Sequence, residues 1–134
     1  MDLLKLSRDP AAELEPVMRL GEFEEMRRLV EEIHASEAVL RYVVSVTSAT
    51  REHDDVYLGA SPRASRMLLA ASRARAAANG RSYCTPDDVK AMALSVLAHR
   101  IIPSAGGSGE ADAATAAGGI VREILGSVPV TEAV

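Results

Sequence analysis

Residues 61–100 decide the fold, and they read SPRASRMLLAASRARAAANGRSYCTPDDVKAMALSVLAHR. Ser61 and Thr85 each stand directly before a proline, so each place offers a capping hydroxyl followed by proline at the first helical position. The first helix keeps apolar residues at helical spacing as far as Asn79, and Gly80 supplies a left-handed stop. The second helix ends near residue 100. This stretch therefore predicts two consecutive helices with well-defined starts.

Two more helices are predicted upstream. Residues 21–34 begin with carboxylates in the first turn, where they complement the helix dipole, and continue with an apolar stripe. Ser36 can cap the next helix, which runs to Arg51 or Glu52. Residues 56–59 are too short for more than an extended connector.

The two ends of the chain carry shorter elements. Residues 2–6 look like the tail of a helix, and residues 11–20 contain Pro16 and are predicted to be a connector. Proline and three glycines make 103–109 a flexible loop, and the sequence assigns no role to the Gly- and Ala-rich stretch from Pro103 to Gly119. A last short helix is predicted over 113–125. The fold class is all-α: a small helical bundle of about four principal helices plus short terminal pieces.

Composition excludes several classes of protein. The length of 134 residues is that of a single domain. With 48% hydrophobic and 25% charged residues, the composition is that of neither a disordered tail nor a membrane protein. It has no secretory signal pattern, so we expect a cytoplasmic protein with no membrane partner. Cys84 is the single cysteine, which excludes an internal disulfide and favours a small buried apolar side chain.

The net charge of −4 is unevenly distributed. Residues 61–100 carry seven Lys and Arg against two Asp, a local balance of +5. Such a segment can face an anion such as phosphate, although the acidic whole makes nucleic acid an improbable partner.

No catalytic constellation is found. Lys5 and Lys90 do not follow a glycine, so the chain contains no phosphate-binding P-loop. The three histidines lack zinc-ligand spacing, and no metal site is expected. Ser108 and Cys84 lack the neighbours of a nucleophile. The chain by itself is expected to be non-catalytic and to hold no cofactor.

Arg63 is the residue that needs an explanation. It falls in the first turn of its helix, where a cation opposes the helix dipole by about 0.3–1 kcal/mol. It either serves a ligand such as a phosphate oxygen or pairs with a surface acid such as Glu52 or Asp54. By contrast, Asp87 and Asp88 are interpreted as helix caps only, and Arg73 and Arg75 as a solvated face.

Several stretches together resemble the C-terminal helical lid of MoxR-family AAA+ ATPases. They are Leu58–Ala64, Asn79–Ala91 and Val96–Arg100, with outlying matches at Ala49–Arg51, Asp9–Pro10, residues 14–17 and Val128–Val130. The resemblance implies that Arg63, with Ser61 and Pro62, binds ATP as the sensor 2 arginine, which reaches from the lid to the γ-phosphate.

The same resemblance implies a longer protein. Its N-terminal AAA+ core domain, absent from this chain, would bind ATP and Mg²⁺, and the whole would form a homo-oligomeric, chaperone-like ring, with a von Willebrand factor A-domain protein as a partner. Residues 1–20 would then be a partial first lid helix and connector, and residues 21–134 the lid-type domain.

One alternative comes from another functional class. The Thr85–Val89 helix start also resembles a histone fold, which would make the chain a free-standing interaction module that binds nucleic acid or protein through residues 61–100. An affinity for DNA that falls steeply as the salt concentration rises would favour this hypothesis over the lid.

Overall fold

The architecture is a helical bundle with one small pair of strands. The computed structural model describes residues 15–104 and 110–130. Within them lie five α-helices: α1 Leu20–Glu32, α2 Glu37–Glu52, α3 Pro62–Ala78, α4 Pro86–Leu97 and α5 Glu110–Ser127. A 3₁₀ turn, Ala98–Arg100, extends α4. The predicted all-α fold class is confirmed.

The helix ends follow the local sequence signals. Ser36 Oγ accepts a hydrogen bond from the Val39 N–H at 3.4 Å at the start of α2. Gly80 has φ +70°, the left-handed conformation that glycine adopts without steric cost, and it follows α3 as predicted. Proline stands at the first position of both α3 and α4.

The core is built from one face each of α2, α3, α4 and α5. Its largest fully buried apolar side chains are Tyr42, Val46, Leu68, Val89, Leu97 and Val121. Close contact between α3 and α4 is possible because alanines, including Ala64, Ala76 and Ala93, occupy the buried positions. None of the helices in the described residues is long and apolar enough to span a membrane.

Helix α1 lies outside this core. No residue of α1 is buried, and Phe23, Met26 and Leu29 each remain about half exposed. Its apolar stripe lines a groove of about 440 Å³ against Ala74 and Ala77 of α3. The stripe therefore lies against α3 without joining the buried core.

Two predicted connectors instead form strands. β1, Val56–Leu58, pairs antiparallel with β2, Ile102–Pro103, with Val56 opposite Pro103. The Ser104 N–H continues the pairing to the Asp55 carbonyl at 2.8 Å. Proline is tolerated because this two-stranded ladder has only edge strands.

The C-terminal helix is longer than predicted. α5 has 18 residues, whereas the predicted helix covers only 113–125, and both include Gly118 and Gly119. A Cβ built on Gly118 would make ordinary van der Waals contact with Leu94 at 3.5 Å, so this part of α5 lies against α4. The predicted helix tail at 2–6, most of the 1–20 connector and the loop at 105–109 fall outside the described residues.

Candidate functional site

The three predicted site residues, Ser61, Pro62 and Arg63, lie together and exposed at the start of α3. The Ser61 carbonyl accepts the Ala64 N–H at 2.8 Å, which closes the first turn. The Ser61 hydroxyl caps no first-turn N–H, and this turn contains no acidic residue. The positive end of the helix dipole and the arginine therefore reach solvent together.

Arg63 has no acidic partner in the described part of the chain. The ion pairs found there join other residues, and neither Glu52 nor Asp54 lies within ion-pair distance of its guanidinium. The surface-acid alternative is therefore wrong for the described residues. An exposed cation in an unfavourable position of a helix is left with its donors free.

Helix α2 holds the segment that leads into this turn. Thr50 is fully buried; its Oγ1 accepts the Ala60 N–H at 2.9 Å and donates to the Thr47 carbonyl at 2.7 Å. Arg51 Nη1 donates to the Ala60 carbonyl at 2.8 Å. The Thr47 and Ser65 hydroxyls are hydrogen bonded at 2.7 Å. Both polar groups of Ala60 are thus satisfied by α2.

Gly59 makes this contact possible. A Cβ built on Gly59 would lie 2.6 Å from Arg51 Cγ and 2.7 Å from both Arg51 Cα and the Thr50 carbonyl oxygen. Real Cβ atoms do not approach other atoms so closely, so any larger residue would push the chain away from α2. The glycine is required here for close approach rather than for an unusual backbone angle.

The start of α4 is organised around Asp88, which is 2% exposed. Its carboxylate accepts two hydrogen bonds from Arg81, at 2.7 and 2.6 Å, and bonds from the Thr85 N–H and hydroxyl, both at 2.9 Å. These hydrogen bonds, the Arg81 bonds foremost, hold the pKa of Asp88 well below its usual range, although burial opposes them.

Two sequence interpretations are corrected at this point. Asp88 is more than a helix cap, because it is a buried ion-pair partner of Arg81. Arg75 does not belong to a purely solvated face, since its Nε lies 3.6 Å from the same carboxylate. Arg81 and Asp88 are seven residues apart, a spacing that gave no direct sign of the pair, because the contact depends on the path of the chain between α3 and α4.

The remaining candidate side chains form no further site. In the described residues no group of three His, Cys, Asp or Glu could hold a metal ion. His34 and His99 are exposed, and His53 is half-buried with Nε2 3.7 Å from a Glu123 oxygen. Cys84 is buried as expected, and burial raises the pKa of its thiol, which opposes reactivity.

Comparison with known proteins identifies the family. The family model of the AAA lid domain matches residues 48–117, slightly more than half of the chain. The crystal structure of a protein assigned as an ATPase, from Cytophaga hutchinsonii, superimposes with a TM-score of 0.73 and 28% identity, covering 84% of this chain and 36% of that one.

Three curated relatives agree with this match. The uncharacterized protein YeaC of Bacillus subtilis is 36% identical over 97% of this chain and 40% of its own length. Chaperone MoxR1 of Mycobacterium tuberculosis is 33% identical over 64% of this chain, and Protein MoxR of Paracoccus denitrificans is 37% identical over 53%. The chain spans 25% of each MoxR protein. The chain is therefore similar to MoxR proteins in part of its length, and it belongs to the AAA lid domain family.

Proposed function

We propose that this chain is the lid of an AAA+ ATPase and that Arg63 is its sensor 2 arginine, which binds the γ-phosphate of ATP held by a core domain preceding the lid. One observation carries the proposal: Arg63 is exposed in the first turn of α3 and has no acidic partner in the described residues. An anion supplied from outside the chain would complete the site.

The chemistry of the helix start suits a phosphate. The first-turn N–H groups and the guanidinium stand at the same end of α3, and both stabilise negative charge. The Ser61 hydroxyl, which caps no first-turn N–H, is available as a further donor, and Pro62 fixes the backbone at the first helical position. Arginine is suited to phosphoryl transfer because its planar fork can stabilise charge that redistributes in the transition state.

The rest of the nucleotide site would come from the core domain. This chain has neither a P-loop nor, in its described part, a cluster for a cation, so the phosphate-cradling loop and the Mg²⁺ ligands would lie in the core. We expect the isolated chain to bind ATP only very weakly. Isothermal calorimetry checks this expectation, and micromolar affinity would contradict it.

Assembly is part of the same proposal. The MoxR resemblance supports a homo-oligomeric ring with chaperone-like action and a von Willebrand factor A-domain protein as a partner. Use of ATP implies a cytoplasmic location.

The genomic reading frame upstream of Met1 provides a direct test of the proposed core domain, because Walker A and Walker B motifs should be encoded there.

The decisive experiment compares two arginines of α3 in the protein that joins this lid to its core. Arg63→Ala should lower ATP turnover by about 10²-fold or more, the usual cost of removing one charge-stabilising donor. Arg63→Lys should restore it only in part, because an ammonium lacks the planar fork. Arg66→Ala removes another exposed arginine one turn later and serves as the control, with turnover unchanged. Wild-type turnover in Arg63→Ala would refute the sensor assignment.

A further inference from the structure

We propose that Thr50 and Arg51 of α2 are positioning residues for Arg63: they fix the start of α3 so that the arginine meets the nucleotide in one geometry. This inference rests on the proposed function of Arg63 and adds two residues that do not touch the nucleotide themselves. It is argued from the hydrogen bonds between α2 and Ala60.

The peptide groups around Ala60 are held from both sides. Thr50 accepts the Ala60 N–H at 2.9 Å, and Arg51 donates to the Ala60 carbonyl at 2.8 Å. With both groups bonded to one rigid helix, the chain entering α3 cannot rotate or slide without breaking a hydrogen bond. Ala60 itself is fully buried, so an unmade bond there would carry a desolvation cost.

The two hydrogen bonds to Ala60 form an anchor for the start of α3, and two neighbouring contacts complete it. Gly59 lies directly against the Thr50–Arg51 backbone, too close for any side chain. Thr47, one turn earlier on α2, is hydrogen bonded to Ser65, two residues beyond Arg63. The anchor therefore holds the chain both before and after Arg63, while the Arg63 side chain stays exposed.

Such an anchor matters for the binding of a phosphate as well as for folding. An exposed arginine side chain has many rotamers, so a fixed backbone is what limits where its guanidinium can be. Charge stabilisation in phosphoryl transfer depends on donors being held in place before the reaction, and misplacement by about 1 Å can cost on the order of 10²-fold in rate.

Arg51→Met is the informative change, because it removes the hydrogen-bond donor and keeps a long apolar stem. In the full protein it should lower ATP turnover about tenfold and leave ADP affinity unchanged, since ADP lacks the phosphate that Arg63 binds. Arg51→Lys should recover part of the rate and provides the same test if the methionine variant fails to fold. Arg41→Met, on α2 but paired with Glu37 far from Ala60, is the control with unchanged turnover.

A double-variant cycle separates positioning from a general structural role. If Arg51 acts through Arg63, Arg51→Met should cause no further loss in the Arg63→Ala background. In this chain alone, Thr50→Val should speed amide hydrogen exchange at Ala60 and the first turn of α3 without altering exchange in α4.

The outcomes distinguish the two proposals. Suppose first that Arg63→Ala has a large effect on turnover. A multiplicative loss in the double variant, or wild-type turnover in Arg51→Met, would then overturn the positioning role alone. Wild-type turnover in Arg63→Ala would overturn both proposals. Coupled loss with unchanged ADP affinity would establish the positioning role.

Discussion

The starts of α3 and α4 look alike in sequence and differ in structure. Each has a hydroxyl residue, then proline, then a charged residue. At α4 the charge nearest the core is Asp88, which is buried and bonded to Thr85 and Arg81. At α3 the first turn has no acid and presents Arg63 to solvent.

This difference shows how one local signal serves two purposes. The α4 start satisfies its own donors with a carboxylate of the favourable sign, so it stabilises the fold. The α3 start leaves its donors to solvent and is held from outside by α2, through Thr50 and Arg51. A helix start that is stabilised by another helix can leave its own N–H and side-chain donors available to a ligand.

The largest expected effect on stability is at the α4 start. Asp88→Asn should lower the free energy of unfolding by about 3 kcal/mol, because it leaves Arg81 beside a buried site without its counter-charge. Urea unfolding of this chain measures the change. Asp87→Asn, at the exposed neighbouring position, is the matched control and should stay within about 0.5 kcal/mol. A loss below about 1 kcal/mol for Asp88→Asn would remove the contrast between the two starts.

The pH dependence of stability should report the same carboxylate. The pKa of Asp88 is lower in the folded chain than its ordinary value of 3.8, so below about pH 4 the unfolded chain takes up a proton that the folded chain does not. The stabilisation is complete above that pH and is lost as pH falls. Between pH 4 and pH 2 the free energy of unfolding should therefore fall more steeply for the wild type than for Asp88→Asn. The difference between the two slopes should be up to about 1.4 kcal/mol per pH unit. Parallel curves for the two proteins would contradict this.

Removing the hydroxyl that precedes each proline should sharpen the comparison further. Thr85→Val removes a hydroxyl bonded to Asp88 and should cost about 1 kcal/mol. Ser61→Ala removes a hydroxyl that caps no N–H and should cost less than about 0.5 kcal/mol. Thermal unfolding of both variants gives the ranking, and equal losses would show that the α3 start depends on its own cap after all.

The smallest effect is expected from Arg63 itself. Arg63→Ala removes a cation from the positive end of α3, so stability should stay level or rise by up to about 0.5 kcal/mol. Differential scanning calorimetry of this chain is sufficient to see the sign. A loss above about 1 kcal/mol would mean that Arg63 supports the fold, and its proposed role at the nucleotide would lose its main argument.

Local signals predicted much of the fold. The starts at Ser36, Ser61 and Thr85 and the stop at Gly80 depend on hydrogen bonds and backbone angles within a few residues, and all four were located correctly. The pairing of Val56 with Pro103 was missed because its partners are far apart in sequence. The exposure of α1 could not be predicted, because a hydrophobic stripe does not reveal how closely another helix packs against it.

The candidate site divides in the same way. Sequence alone determined that Arg63 stands in the first turn of a helix, because the serine and proline before it fix that turn locally. Only the tertiary structure decided that no acid of the described residues approaches it, that Asp88 is buried against Arg81, and that α2 holds Ala60. These contacts depend on where whole helices lie relative to one another, which is set by the packing of side chains distant in sequence rather than by the residues next to the site.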